Sequence, residues 1–367
     1  MYPLLLSGYG VKVKVNDLDH SSELEVTNGR EDERQTETMR FRPRHFPYSS
    51  VIIESQSGYI SLQAFHWLAK NQVPVFMTHW DGSIISSLLP PMPIKADLRA
   101  AQFRAAANPE QKFDIAKALV AAKLDHGLRF LEWLGEKAEI THEVESFEKQ
   151  LSSLNSAESV RQVRMIEAFG AKAYWKAYRK ALPRSLDFLG RNKPTHIQKD
   201  SNPRDASDPV NATLNYGYGF LQGECLKAIN EVGLEPSVAF LHEFHMTQIR
   251  NSLVFDFQEP FRWLVDFVVM KMFQEGKLGL RDFYFTEDDY RYGFNPEAKQ
   301  RFINHLRTQF NKKPESEGAW SWDEVIRSKA AAFGRYLMKR GTYSAEKLDF
   351  TEPSPNLQME LLSNESR

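Results

Sequence analysis

Residues 89–93, Leu-Pro-Pro-Met-Pro, divide the sequence into two parts of different character. Three prolines within four positions can neither continue a helix nor donate to a β-ladder, so this stretch is predicted to be a linker. Before it, short apolar runs alternate with period two, as in residues 11–15, Val-Lys-Val-Lys-Val, which predicts strands. After it, apolar residues recur every three or four positions, which predicts helices.

The predicted fold class is therefore α+β with two domains, a small β-rich N-terminal domain followed by a larger all-α domain. Residues 18–38 are polar and are interpreted as a hairpin or a mobile insertion, and Asp97 is expected to cap the first helix after the linker. The predicted boundaries are residues 1–89 for the β-rich domain, 90–96 for the linker, 97–345 for the helical domain and 346–367 for a flexible polar tail.

The composition is that of a soluble globular protein. The chain has 367 residues, with 47 Lys or Arg against 48 Asp or Glu, so any nucleic acid must be bound by a local basic surface. A single cysteine, Cys225, excludes an intrachain disulfide framework and fits a reducing compartment. No apolar run is long enough to span a membrane, and the N-terminus lacks the features of a signal peptide. The expected location is the cytoplasm.

Positive charge is concentrated around one acidic residue, Glu167. Residues 157–200 contain ten Lys or Arg and four Asp or Glu, a surplus of six positive charges in a chain that is nearly neutral. A charged helix face is most often simply solvated. The alternative is a phosphate-binding strip around an isolated carboxylate, which is the pattern expected of a metal ligand in a nucleic-acid enzyme.

Two further segments offer possible metal ligands. His242 and His245 are three residues apart, which differs from the spacing of zinc proteases, so either a structural role or a single imidazole ligand is open. Asp256 and Glu259 have the spacing of a capping box, but the same spacing also places two carboxylates at one helix entrance. Hard divalent ions prefer such oxygen ligands.

A fourth segment, residues 208–220, reads Asp-Pro-Val-Asn-Ala-Thr-Leu-Asn-Tyr-Gly-Tyr-Gly-Phe and predicts a capped helix start with small residues for close packing. These four segments, in this order and spacing, resemble the CRISPR-associated integrase family, the DNA endonucleases of spacer acquisition. Residues 58–62 and 73–76 resemble the small N-terminal domain of that family. Casposon transposases share the catalytic domain.

The resemblance implies a function and a set of site residues. It assigns Glu167, His242 and Asp256 as catalytic and metal-binding residues, with Glu259 as a possible further ligand. It also implies that the N-terminal domain mediates a homodimer, that the helical domain is catalytic, and that a small ferredoxin-like adaptation protein can be a partner. The hypothesised contacts to double-stranded DNA are the basic residues Arg164, Lys172, Lys176, Arg179 and Arg184.

The expected reaction is phosphoryl transfer that joins DNA 3′ ends to a target, with Mg²⁺ or Mn²⁺ as cofactor and Mn²⁺ preferred, because an imidazole suits it better. One alternative is casposon-type transposition, or a stand-alone homologue, with the same strand-transfer chemistry. Two alternatives of other classes are a non-catalytic DNA-binding module, whose carboxylates only cap helices, and a metallohydrolase of small substrates.

Overall fold

The protein consists of two compact units, residues 1–93 and 94–367. In this computed structural model, no helix of the described part of the chain is long and apolar enough to cross a bilayer. The structure describes residues 2–18, 21–29, 38–90, 95–136, 138–191, 206–242, 251–286, 291–313, 320–338 and 348–350.

The first unit contains eight strands and one helix among its described residues. The strands are β1 (Tyr2–Ser7), β2 (Val11–Leu18), β3 (Ser21–Thr27), β4 (Thr38–Phe41), β5 (Tyr48–Glu54), β6 (Gly58–Ile60), β7 (Val75–Thr78) and β8 (Ile84–Leu88), and the helix is α1 (Leu62–Lys70). They form two four-stranded sheets, one in the order β1-β5-β7-β8 and the other in the order β4-β3-β2-β6.

Alternation along the strands builds the core of this unit. Leu4 and Leu6 of β1, Val11 and Val13 of β2, and other alternate residues of both sheets form one buried cluster. Trp67 of α1 is buried against it, and its indole N–H donates to the Ser22 carbonyl at 3.0 Å. Within residues 18–38, β3 pairs antiparallel with β2, so the hairpin interpretation is confirmed there; residues 19–20 and 30–37 lie outside the described residues.

The second unit is built mainly of helices. They are α2 (Ala96–Ala107), α3 (Pro109–Gly135), α4 (Thr141–Ser153), α5 (Val160–Ala181), α6 (Pro209–Val232), α7 (Ser252–Gln258), α8 (Arg262–Gln274), α9 (Pro296–Asn311) and α10 (Trp322–Met338). A short hairpin, β9 (Phe283–Thr286) and β10 (Arg291–Phe294), interrupts them. The predicted fold class is confirmed, with this hairpin as the one departure from an all-α second domain among the described residues.

Helices α6 and α8 form the centre of the unit. The Asp208 side chain caps α6, as the sequence predicts, by accepting the Asn211 N–H at 2.8 Å, and Gly233 ends the helix with a φ of 90°. A β-carbon on Gly217 would stand 2.4 Å from the Val265 side chain, so α6 and α8 approach closely there because glycine has none. Helix α8 is buried almost all round, as its apolar sequence predicts.

Two local expectations are wrong, and one helix was missed. Lys95, not Asp97, is the residue before the first turn of α2, and Asp97 lies inside that turn. Asp256 lies within α7 instead of capping a helix, so the capping-box interpretation of Asp256 and Glu259 fails. Helix α4 was not predicted, because its Glu, Lys and Ser content masks a narrow buried face.

The C-terminal segment departs from the expected tail at one point. Within residues 346–367 the structure describes 348–350, and there Phe350 is buried, with its ring 5.7 Å from that of Phe257 and 6.1 Å from that of Phe333. Lys329 also donates to the Asp349 carbonyl at 3.0 Å. Apolar burial of a single aromatic ring fixes these three residues against α7 and α10.

Candidate active site

Glu167 lies in the middle of α5, where the helix turns its inner face towards α3. The Ser159 side chain begins the helix by accepting the Gln162 N–H at 3.3 Å. Seven residues after Glu167, Tyr174 lies on the same side of the helix, and both line one cavity. Lys172 is five residues from Glu167, about 140° around the helix, and is exposed. The carboxylate and the basic face therefore occupy different sides of α5.

Asp256 holds the segment that carries His242. Its Oδ2 accepts the backbone N–H groups of Phe240 and Leu241 at 2.6 and 2.8 Å. Its Oδ1 accepts the His242 backbone N–H at 2.9 Å and meets the ring Nδ1 of the same residue at 2.7 Å. Because an ionised carboxylate only accepts, Nδ1 carries the proton and donates it, which leaves Nε2 as the nitrogen for a ligand.

The structure gives Asp256 a different place from the expected one. The residue is fully buried, accepts four hydrogen bonds and does not line the cavity that His242 lines. Burial by itself would lower the pKa of His242, but the hydrogen bond to Asp256 and its charge outweigh burial, so the pKa of His242 is raised. Asp256 orients the imidazole and increases its basicity.

Glu259 provides the second carboxylate of the cavity. It begins the turn of 3-10 helix between α7 and α8 and is buried. Its Oε1 accepts from Arg262 Nη1 at 3.1 Å, while its buried Oε2 faces the Lys123 ammonium at 2.5 Å. Burial raises its pKa, but the Lys123 and Arg262 cations outweigh burial and bring the pKa of Glu259 down to about 2. Glu259 is therefore ionised at neutral pH.

Lys123, from the middle of α3, lies between the two carboxylates. Its ammonium is paired with Glu167 Oε1 and lies 2.5 Å from Glu259 Oε2. Burial lowers its pKa, yet the charges of Glu259 and Glu167 outweigh burial, so the pKa of Lys123 is raised and the ammonium is retained. Helix α3 is fixed to this region by buried His126, whose Nδ1 donates to the Pro260 carbonyl at 2.7 Å.

Glu167, His242 and Glu259 line one cavity of about 290 Å³, together with Lys123 and Arg262. Among the described residues, no three His, Cys, Asp or Glu side chains stand at metal-binding spacing, and the Lys123 ammonium lies between the two carboxylates. The donor set itself fits a divalent ion, because two carboxylates and an imidazole suit Mn²⁺ and can also bind Mg²⁺.

The floor of the cavity is a buried polar network. Asp266 accepts from Tyr174 at 2.7 Å and from the Tyr218 hydroxyl. The guanidinium of Arg262 lies 4.1 Å from the centre of the Tyr218 ring, and that of Arg191 lies 5.4 Å from it. Two cations thus line the same cavity as the carboxylates, which suits a ligand that carries a phosphate.

The five basic residues expected to contact DNA differ in their surroundings. Lys172, Arg179 and Arg184 are exposed. Arg164 is half-buried and its Nε donates to the Leu241 carbonyl at 2.6 Å, so it supports the segment before His242. Lys176 is exposed but pairs with buried Glu143 at 2.8 Å, which partly neutralises its charge.

Two parts of the site were not found from the sequence. Lys123 lies in a helix with a regular apolar repeat and no motif around it, so nothing in the sequence distinguished it from a surface lysine. The roles of Asp256 and Glu259 depend on which carboxylate faces the cavity, and spacing alone does not give that. The second imidazole considered, His245, lies outside the described residues.

A β-rich unit is joined to a helical unit whose cavity is lined by two carboxylates and an imidazole. Comparison with known proteins identifies the family. The chain belongs to the Cas1 family, because the model of CRISPR associated protein Cas1 matches residues 22–308.

Individual relatives agree with this assignment. A CRISPR-associated endonuclease Cas1 of Pyrobaculum aerophilum is 30% identical over 273 residues, covering 74% of this chain and 83% of the relative. A solved casposase bound to its integration product is 31% identical, with a TM-score of 0.85 over 99% of each chain. A chain of a Cas6-RT-Cas1–Cas2 complex shares the fold at 16% identity, with a TM-score of 0.75 over 96% of this chain and 36% of that one.

Proposed function

We propose that this protein is a metal-dependent DNA endonuclease and integrase that joins DNA 3′ ends to a target by phosphoryl transfer. The observation that carries the proposal is the convergence of Glu167, His242 and Glu259 on one cavity, with Asp256 fixing the imidazole from behind. Membership of a family whose relatives are endonucleases supports the nuclease class.

Glu167, Glu259 and Nε2 of His242 are the proposed holders of Mg²⁺ or Mn²⁺, and Asp256 is the proposed positioning residue. When bound, the ion polarises a phosphate oxygen and stabilises the charge on the departing 3′ oxygen. Arg262, which the Glu259 carboxylate and the Tyr218 ring hold in place, provides a fixed positive charge for the same phosphate. The nucleophile is a DNA 3′-hydroxyl in joining and water in nicking.

The exposed basic residues of α5 and of the turn after it are the proposed contacts to the DNA backbone. Lys172, Arg179 and Arg184 are exposed. Arg164 instead donates to the Leu241 carbonyl next to His242, and Lys176 pairs with Glu143. Contacts to phosphate position DNA without reading its sequence. Choice of target therefore comes from other surfaces, from DNA bending or from a partner protein.

We further propose double-stranded DNA, a second copy of this chain and a small adaptation protein as partners. The solved complex that contains Cas1 and Cas2 supports the last of these. The likeness to a casposase over almost the whole chain supports a second candidate, transposition by the same chemistry. A transposase must recognise the ends of one element, whereas spacer acquisition must accept donors of unrelated sequence, so dependence on donor sequence separates the two.

The direct test is strand transfer of a labelled short duplex with free 3′-hydroxyl ends into a supercoiled plasmid. Joining is expected with Mn²⁺, and it should be abolished by EDTA and by Glu167→Ala, His242→Ala and Glu259→Gln. Glu158→Ala, which changes an exposed acidic residue just before α5, is the matched control and should leave joining intact.

The possible outcomes separate the alternatives. Joining that survives the three substitutions would show that the ligands are assigned wrongly. Nicking without joining would indicate a missing partner or target. DNA binding without either reaction, unchanged in Glu167→Ala, would favour the non-catalytic module. Hydrolysis of small phosphodiesters alone would favour the metallohydrolase.

A further inference from the structure

Lys123 occupies the place between the two carboxylates that the function proposed above assigns to a metal. Its ammonium contacts one oxygen of Glu167 and one of Glu259, which come from α5 and from the turn after α7. About a quarter of the lysine side chain is exposed, whereas the Glu259 side chain is almost fully buried. The ion pair therefore lies inside the cavity and differs from an ordinary surface salt bridge.

The Lys123 ammonium compensates the negative charge of the Glu259 carboxylate. Arg262 donates to Oε1, and the Lys123 ammonium, 2.5 Å from Oε2, is the cation next to the second oxygen. A buried carboxylate without compensation is strongly unfavourable. Lys123 thus compensates the charge of Glu259 and holds Glu167 close to it.

A divalent ion bound by Glu167 and Glu259 would need the oxygens that Lys123 now contacts. Metal–oxygen distances are about 2.0–2.1 Å for Mg²⁺, so an ion on these oxygens would lie directly beside the ammonium. The two cations also repel each other. We propose that Lys123 is a counter-cation built into the metal site, and that a divalent ion binds by displacing its ammonium from between Glu167 and Glu259.

The displaced ammonium remains in the cavity. Helix α3 is fixed by the hydrogen bond from His126 to Pro260, so only the flexible lysine stem moves.

Metal affinity measured without catalysis tests the inference. We would titrate the full-length protein with Mn²⁺ at pH 8 and follow free Mn²⁺ by electron paramagnetic resonance, with melting temperatures in EDTA and in Mn²⁺ as a second readout. Lys123→Met removes the competing charge, and we expect it to bind Mn²⁺ about tenfold more tightly or more. It should also melt at a lower temperature in EDTA and gain more from Mn²⁺ than the wild type.

Two controls isolate the charge. Lys117→Met changes a lysine of the same helix whose Nζ donates to the Asn155 carbonyl at 3.4 Å, and it should leave the affinity unchanged. Lys123→Arg retains the cation, so its affinity should equal that of the wild type or be weaker. This variant also keeps the inference testable if Lys123→Met does not fold.

The inference rests on the proposed metal site, and the results separate failure of one from failure of the other. Equal or weaker Mn²⁺ binding by Lys123→Met, or tighter binding by Lys123→Arg, would overturn displacement while the metal site stands, provided that His242→Ala binds more weakly than the wild type. No Mn²⁺ binding by the wild type would overturn the metal site and this inference together.

Discussion

At the scale of single residues, the decisive distinction is between the carboxylate that faces the cavity and the one that supports the imidazole. Glu259 directs its oxygens to the cavity-lining side chains of Lys123 and Arg262, whereas Asp256 uses its oxygens on three backbone N–H groups and one ring N–H. These contacts are the reason for proposing Glu259 as a ligand and Asp256 as a positioning residue.

This difference predicts different effects of two isosteric substitutions. Glu259→Gln removes a ligand charge and should abolish measurable Mn²⁺ binding. Asp256→Asn leaves the ligands in place but weakens the hold on His242, and loss of such a supporting contact lowers metal affinity about 10–100-fold. Titration calorimetry with Mn²⁺ checks both; equal loss in the two variants would make Asp256 a ligand.

The basic residues of α5 predict a second contrast. Replacing a lysine or arginine that contacts phosphate lowers the salt dependence of DNA binding by roughly one unit of slope. We expect this for Lys172→Ala and Arg179→Ala, whose side chains are exposed. Lys176→Ala should change the slope less, because Glu143 already pairs with that ammonium. Fluorescence anisotropy at several salt concentrations measures the slopes; equal slopes for all three would contradict this assignment.

At the scale of secondary-structure elements, Glu143 attaches α4 to α5. Its carboxylate is buried and pairs with Lys176 at 2.8 Å and Lys180 at 2.9 Å. Burial raises its pKa, but hydrogen bonds from both lysines outweigh burial and lower the pKa of Glu143 to about 2. A depressed pKa stabilises the fold above the pKa of the unfolded state, and that contribution is lost as pH falls towards 2.

We expect Glu143→Gln to lower the stability of the fold by an amount that depends on pH. At pH 7 the free energy of unfolding of the variant should be about 1 kcal/mol lower than that of the wild type. The value is modest because both lysines are exposed and solvent screens their charge. The difference from the wild type should shrink between about pH 4.5 and 2, as the wild-type carboxylate becomes protonated. Urea unfolding at pH 7, 4.5 and 3 checks the trend, and a difference independent of pH would assign the loss to packing.

The sequence predicted most elements but not the parts that depend on tertiary contact. Long apolar periodicity predicted α3, α5, α6 and α10, period-two alternation predicted β2, and the short apolar run at residues 51–53 predicted β5. The hairpin β9–β10 was missed because its aromatic residues follow no clean alternation against charged neighbours. Phe350 appeared to belong to a polar tail, and its burial depends on partners from α7 and α10.

The candidate site shows the same limit. Resemblance to a family identified Glu167, His242 and the Asp256–Glu259 segment, because these lie in recognisable motifs. It did not identify Lys123, whose role arises only where α3 meets α5 and the turn before α8. A residue whose function is to compensate the charge of others is defined by its neighbours in space.

At the scale of the whole molecule, the candidate site and the β-rich fold lie in different units of the chain. All described residues of the candidate site lie in residues 94–367, while residues 1–93 have their own buried core. An independent core is what allows a domain to fold alone. We therefore expect the fragment 94–367 to fold and to bind Mn²⁺ with the affinity of the full chain.

The same fragment should lose joining while it keeps nicking. Nicking needs one cavity, whereas joining both ends of a donor needs two cavities held together, and the β-rich domain is the proposed dimer contact. Light scattering should show a dimer for the full chain and a monomer for the fragment, and Glu259→Gln in the fragment should abolish its Mn²⁺ binding and nicking. A dimeric fragment would show that the dimer contact lies in the helical unit. A folded fragment that does not bind Mn²⁺ would show that the cavity requires residues 1–93 to take its shape.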